Sequence, residues 1–164
     1  MRALYRRLTP KADQNTTDEE MWGIAGLLHD IDYEIAQELN KLDRHGILLF
    51  ETGQVKLPDE IEHAVKAHNY TATKVTPESL MDWSITACDQ LTGLIVAAAL
   101  VHPEKKLALL TPESVLKRFK EKSFAKGADR NSIILCEEKL NIPLAEFVEI
   151  TLKAMQGISK ELGL

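Results

Sequence analysis

The chain has 164 residues, 45% hydrophobic and 27% charged, with a formal net charge of -5 at pH 7. That length carries one domain with a core rather than two, and the acidic balance argues against nucleic acid as a main partner. Aromatics at 5%, with 8 Gly and 6 Pro, fit a helical protein better than a turn-rich β sandwich.

Taken in chain order, Met1 to Leu8 reads as helix, with Leu4 and Leu8 one turn apart and nothing to cap its start. Further helices are expected over 18–29, 34–41, 45–52, 58–68, 77–101, 112–121, 130–140 and 143–162. Pro58, Pro77, Pro112 and Pro143 stand at expected first helical positions, where the missing N–H costs nothing. Thr76 and Thr111 precede two of them as N-caps, and Glu78 and Glu113 follow at the positive end of the dipole. The last segment carries one apolar stripe of Leu144, Phe147, Val148, Leu152, Met155, Ile158 and Leu162. No stretch alternates long enough for a strand and no repeat or linker divides the chain, so the expectation is an all-α, single-domain helical bundle over 1–164.

The longest apolar run, Leu91 to Val101, is short of the ~20 residues of a spanning helix. Met1 to Pro10 carries three arginines and no apolar run, unlike a secretory signal. Cys88 and Cys136 form no CxxC pair. A cytoplasmic protein without membrane contact is expected.

Candidate chemistry begins where His29 and Asp30 close the apolar stretch Trp22 to Leu28. Imidazole beside carboxylate suits manganese, iron, cobalt or nickel, although a helix-end pair satisfied by its own backbone is the plainer alternative. Asp89 sits in the apolar segment Ile85 to Ile95, which implies burial and therefore a partner. No Arg or Lys occurs between Lys74 and Lys105, which favours a cation over a buried ion pair; an N-cap role is the other reading. His68 ends the helix after Pro58 and His45 precedes Gly46 at an expected helix start, either being a cap or a ligand. His63 is expected to be solvated and His102 to cap the long helix. Lys117, Arg118, Lys120, Lys122, Lys126 and Arg130 form a basic cluster that reads as a solvated face or as a dock for substrate phosphate at Lys126 or Arg130.

The ordered set Gly26-Leu27-Leu28-His29-Asp30-Ile31-Asp32-Tyr33, Ala67-His68-Asn69 and Ala87-Cys88-Asp89-Gln90-Leu91-Thr92-Gly93-Leu94-Ile95 resembles the HD-domain superfamily, most closely its small bacterial branch of HD-domain hydrolases. Phe124 to Gly127 and Met155 to Gly157 extend the likeness. The resemblance implies an all-helical, metal-dependent phosphohydrolase acting on a small phosphorylated substrate, a nucleotide or another phosphate ester. It implies His29, Asp30 and Asp89 as metal ligands, with His45 and His68 joining in two-metal members. Mn, Fe, Co or Ni is expected ahead of Zn, with Mg compatible. Besides Asp30, Asp32 is the catalytic candidate, orienting the attacking water or taking its proton; the alternative is a solvated linker acid.

The family's first His lies on the helix before the HD pair, and Met1 to Leu28 contains no histidine. The expectation is that Met1 falls inside that first helix, after the missing ligand, with natural loss of the position as the alternative, and that the metal grip is weakened. The alternative function is a non-catalytic module binding a nucleotide or a protein partner. Half a helix would also leave an apolar groove favouring a homodimer. No P-loop, Rossmann or nucleophile-elbow motif occurs, so no organic cofactor is expected.

Overall fold

Capping side chains fix where several of the helices begin. The structure, a computed structural model, describes residues 1–51, 53 and 55–164 and contains no strand among them. It is all-α. The first helix, α1, is Arg2–Leu8, as expected. The second, α2 (Thr16–Leu28), starts two residues earlier than expected because the Asn15 side chain accepts from the Asp18 N–H at 2.8 Å. Next comes α3, Tyr33–Glu38, which stops where Asn40 takes a left-handed φ of 54°.

The helix expected over 45–52 shrinks to α4, Leu48–Glu51, after a 3-10 turn at Leu42–Arg44. Its start is displaced because Gly46 adopts φ 89°, a left-handed conformation that no helix contains. Its expected last residue, Thr52, lies outside the described residues.

Then follow α5 (Asp59–Ala67), α6 (Tyr70–Thr73) and the long α7 (Leu80–Leu100). Thr76 does not cap α7. Ser79 does: its hydroxyl accepts from the Asp82 N–H at 3.1 Å, while Asp82 Oδ2 accepts from the N–H groups of Glu78 and Ser79 at 2.9 and 3.0 Å. This reciprocal box sets the helix start three residues beyond Pro77. A 3-10 turn at Leu107–Leu109 leads to α8 (Pro112–Lys120), α9 (Arg130–Leu140), α10 (Leu144–Gln156) and α11 (Ser159–Leu162). Thr111 and Ser114 form a second capping box, with Pro112 at the first helical position. Pro58 and Pro143 instead stand one residue before their helices. The helix expected over 143–162 breaks at Gly157, so Ile158 and Leu162 are exposed while Phe147, Val148, Leu152 and Met155 stay buried.

Two compact units are distinguished, Met1–Thr86 and Ala87–Leu164, the boundary falling inside α7. In the first, α1 lies on α2, with Tyr5 and Trp22 ring centroids 5.7 Å apart. A Cβ at Gly23 or Gly26 would meet the flexible side chains of Arg2 and Met1 at 2.5 and 2.6 Å, which would have to shift to make room. The other side of α2 packs on α5, whose Ile61, Ala64, Val65 and Ala67 are buried. In the second unit α10 packs against α8, α9 and the 3-10 turn at 107–109, and Gln156 Nε2 donates to the carbonyls of Leu107 and Leu110, both at 3.1 Å.

Among the described residues α7 alone is long and apolar enough to cross a membrane, but more than half of that stretch is buried inside the protein, as in a core helix. Cys88 and Cys136 are free buried thiols, and burial pushes Cys136 up to about 12.

Candidate metal centre

Two helices of the first unit end in histidine, and both histidines fold back in the same way. His29 is the C-cap of α2, its Nδ1 2.8 Å from the carbonyl of Gly26. His68 is the C-cap of α5, its Nδ1 2.5 Å from the carbonyl of Val65. A carbonyl only accepts, so Nδ1 donates in each ring and Nε2 is the basic nitrogen. Both helix ends present the negative end of a backbone dipole, which favours a cation nearby. A third histidine, His45, caps the 3-10 turn at 42–44 and is held through Nδ1 to Asp32 Oδ1 at 2.6 Å.

Asp30 faces all three. Its Oδ1 is 2.9 Å from His45 Nε2 and 3.8 Å from His68 Nε2, and its Oδ2 is 3.3 Å from His29 Nε2. The Nε2 atoms of His45 and His68 are 3.1 Å apart. Donors around a cation with bonds of about 2.0–2.2 Å stand about 3.0–3.4 Å from one another, so Asp30, His45 and His68 nearly match one coordination shell. The first unit thus holds a group of side chains that could take a metal ion. His45 and His68 are buried, whereas the Asp30 side chain is 53% exposed, giving solvent access from one side.

The charges favour Asp30 as a carboxylate and a proton on His45 that a metal would have to displace. Burial pushes the Asp30 carboxyl up, but hydrogen bonds with His29 and His45 outweigh it and hold Asp30 well below the usual carboxylate range. Burial likewise pushes His45 down, and hydrogen bonds to Asp30 and Asp32 outweigh that, holding it above the usual imidazole range.

Asp32 is 3% exposed, so it is not the solvated linker acid of the plainer sequence reading. Its Oδ1 accepts from His45 Nδ1 and the Gly46 N–H, and its Oδ2 accepts from the N–H groups of Gly46 and Leu49 at 3.1 Å. Two neighbours stand inside the sequence motifs without a role expected for either. The Tyr33 ring meets His45 edge-on with centroids 5.1 Å apart, and Asn69 Nδ2 donates to the His45 carbonyl at 3.3 Å.

The remaining candidates each have their own surroundings. Asp89 is half-buried on α7 within the second unit, where Gln90 Nε2 donates to its Oδ2 at 2.7 Å. His63 is not simply solvated: its Nδ1 lies 2.9 Å from Asp82 Oδ2. His102 accepts from the Glu104 N–H at 3.3 Å, beyond the end of α7. Arg130 is committed to the chain itself, its guanidinium donating to the carbonyls of Phe119, Phe124, Ala125 and Ala128, whereas Lys120, Lys122 and Lys126 stay exposed.

The chain matches no family model, curated protein or solved structure.

Proposed function

We propose that the chain is a metal-dependent phosphohydrolase of the HD type, with Asp30, His45 and His68 as its central metal ligands. One observation carries this: the basic nitrogens of two buried histidines stand 3.1 Å apart beside a shared carboxylate oxygen. At that separation the two nitrogens need a positive charge beside them, a proton on His45 in the metal-free protein or a metal ion that displaces it, and both rings are held through Nδ1 in the orientation that a ligand needs. The second oxygen of Asp30 lies 3.3 Å from His29 Nε2, so those two would hold a further ion, and Asp89 is a further ligand on the sequence resemblance. The donor set of imidazole and carboxylate suits Mn, Fe, Co or Ni ahead of Zn, with Mg compatible.

A divalent ion bound there would lower the pKa of a bound water and polarise a phosphoryl oxygen. The chain's own contribution is placement: His45 and His68 are fixed by buried hydrogen bonds, and the exposed edge of Asp30 faces the solvent from which a small phosphate ester arrives. Self-association belongs to the same proposal, since Leu27, Ile31, Ile35 and Leu39 of the first unit are exposed; sedimentation as a monomer at high concentration would remove it.

The test is metal analysis of purified protein, followed by phosphate release from nucleotides and p-nitrophenyl phosphate with added Mn or Co. At least one equivalent of metal and a metal-stimulated activity are expected, both lost in His45→Ala, His68→Ala and Asp30→Ala. His29→Ala and Asp89→Ala test the outer ligands. A protein that takes up no metal and is stabilised by nucleotides alone would support a non-catalytic binding module instead.

A further inference from the structure

Asp32 lies two residues beyond Asp30, yet it is enclosed rather than turned toward the open edge of the cluster. At 3% exposure it must find donors for both oxygens or lose the free energy of a buried, unpaired charge. Four contacts supply them: His45 Nδ1 at 2.6 Å, Gly46 N–H at 3.0 and 3.1 Å, and Leu49 N–H at 3.1 Å. With its oxygens engaged in this way, Asp32 is poorly placed to take a proton from water at the cluster. What it can do is determine which nitrogen of His45 carries the proton and which way the ring points.

We infer that Asp32 is a positioning residue: it anchors His45 through Nδ1–H, pins the 45–49 segment by its backbone, and so presents His45 Nε2 toward Asp30 and His68. The inference gives Asp32 a different task from proton transfer, and its bearing on metal affinity rests on the metal-centre reading above. Gly46 belongs to the same device. Its φ of 89° turns the chain so that its N–H reaches Asp32 while the preceding ring faces the cluster.

Asp32→Asn discriminates sharply. The amide oxygen can keep the Gly46 and Leu49 N–H groups, which leaves the amide NH2 against His45. Two donors cannot face each other, so His45 Nδ1 must become the acceptor and its proton must move to Nε2. The segment stays pinned while the ligand nitrogen is blocked. The readout is 15N–1H correlation spectroscopy of the histidine rings in metal-free protein, at a pH where His45 is neutral, alongside titration of each protein with MnCl2 or CoCl2. In the wild type the His45 proton is expected on Nδ1, and in Asp32→Asn on Nε2, with metal affinity about 10- to 100-fold weaker and an unchanged helical circular dichroism spectrum.

The wild-type spectrum tests the inference even if the variant does not fold, since a His45 proton on Nε2 there would overturn it. So would a folded Asp32→Asn with the wild-type tautomer or with metal affinity within twofold of a metal-binding wild type. If the wild type binds neither metal but the tautomer still switches, the positioning of His45 stands and the metal reading fails.

Discussion

His45 lies between two carboxylates, and the direction of each shift fixes how this part of the molecule responds to pH. Its folded pKa is raised, so its contribution to stability is fully present below the unfolded value of 6.5 and is lost as pH rises through the folded value. Asp30 is depressed, so its contribution is fully present above the unfolded value of 3.8 and is lost as pH falls through the folded one. For the metal-free protein the pair therefore stabilises most between these two ordinary values. Thermal unfolding across pH should show that contribution declining on the alkaline side, with Mn or Co restoring it there. Metal uptake near neutral pH should also release a proton from His45, read by calorimetry in buffers of different ionisation enthalpy; uptake without proton release would contradict the assignment.

Gly46 gives a second residue-scale prediction. A Cβ at this left-handed position would lie 3.0 Å from the Val65 carbonyl oxygen and 3.1 Å from His68 Cε1. Gly46→Ala should cost about 1–2 kcal/mol in chemical unfolding from the backbone alone, and pressure on His68 should weaken metal binding further. The candidate ligands His29, Asp30, His45 and His68 were all legible in the sequence, because metal-binding side chains are few and keep their chemistry in any fold. The enclosure of Asp32 was not, since its partners lie 13 to 17 positions away and only the folded chain brings them to it.

Among the elements, α7 depends most visibly on its first turn. Asp82 closes the capping box with Ser79 and also accepts from His63 of α5, joining the helix that carries His68 to the start of α7. Asp82→Ala removes the box side chain and leaves the N–H groups of Glu78 and Ser79 and the His63 ring without that carboxylate. A loss of about 2 kcal/mol in urea unfolding is expected, and a loss under 0.5 kcal/mol would mean that the box contributes little. Thr111 was legible as a cap because Pro112 allows only one sensible register. Ser79 was not, because the adjacent Thr76-Pro77 offered the same local signal three residues earlier and only the Asp82 side chain decides between them. The break at Gly157 was hidden for a related reason, since the apolar period continues through Ile158 and Leu162 although the helix does not.

At the scale of the whole molecule the all-α class was readable from composition and from the absence of alternating segments. The HD-type reading remains a proposal resting on the ordered motifs and on the cluster in the first unit. Hydrogen exchange tests how far that cluster reaches: metal should slow amide exchange around residues 29–49 and 65–69, and slowing around Asp89 would support its role as a further ligand. The most direct measurement is equilibrium dialysis of metal-free protein against Co2+, comparing wild type with His45→Gln and His68→Gln. Saturable uptake of at least one ion by the wild type is expected, with its loss in both variants while their helical spectra persist. Equal uptake by all three folded proteins, or none by the wild type, would contradict it.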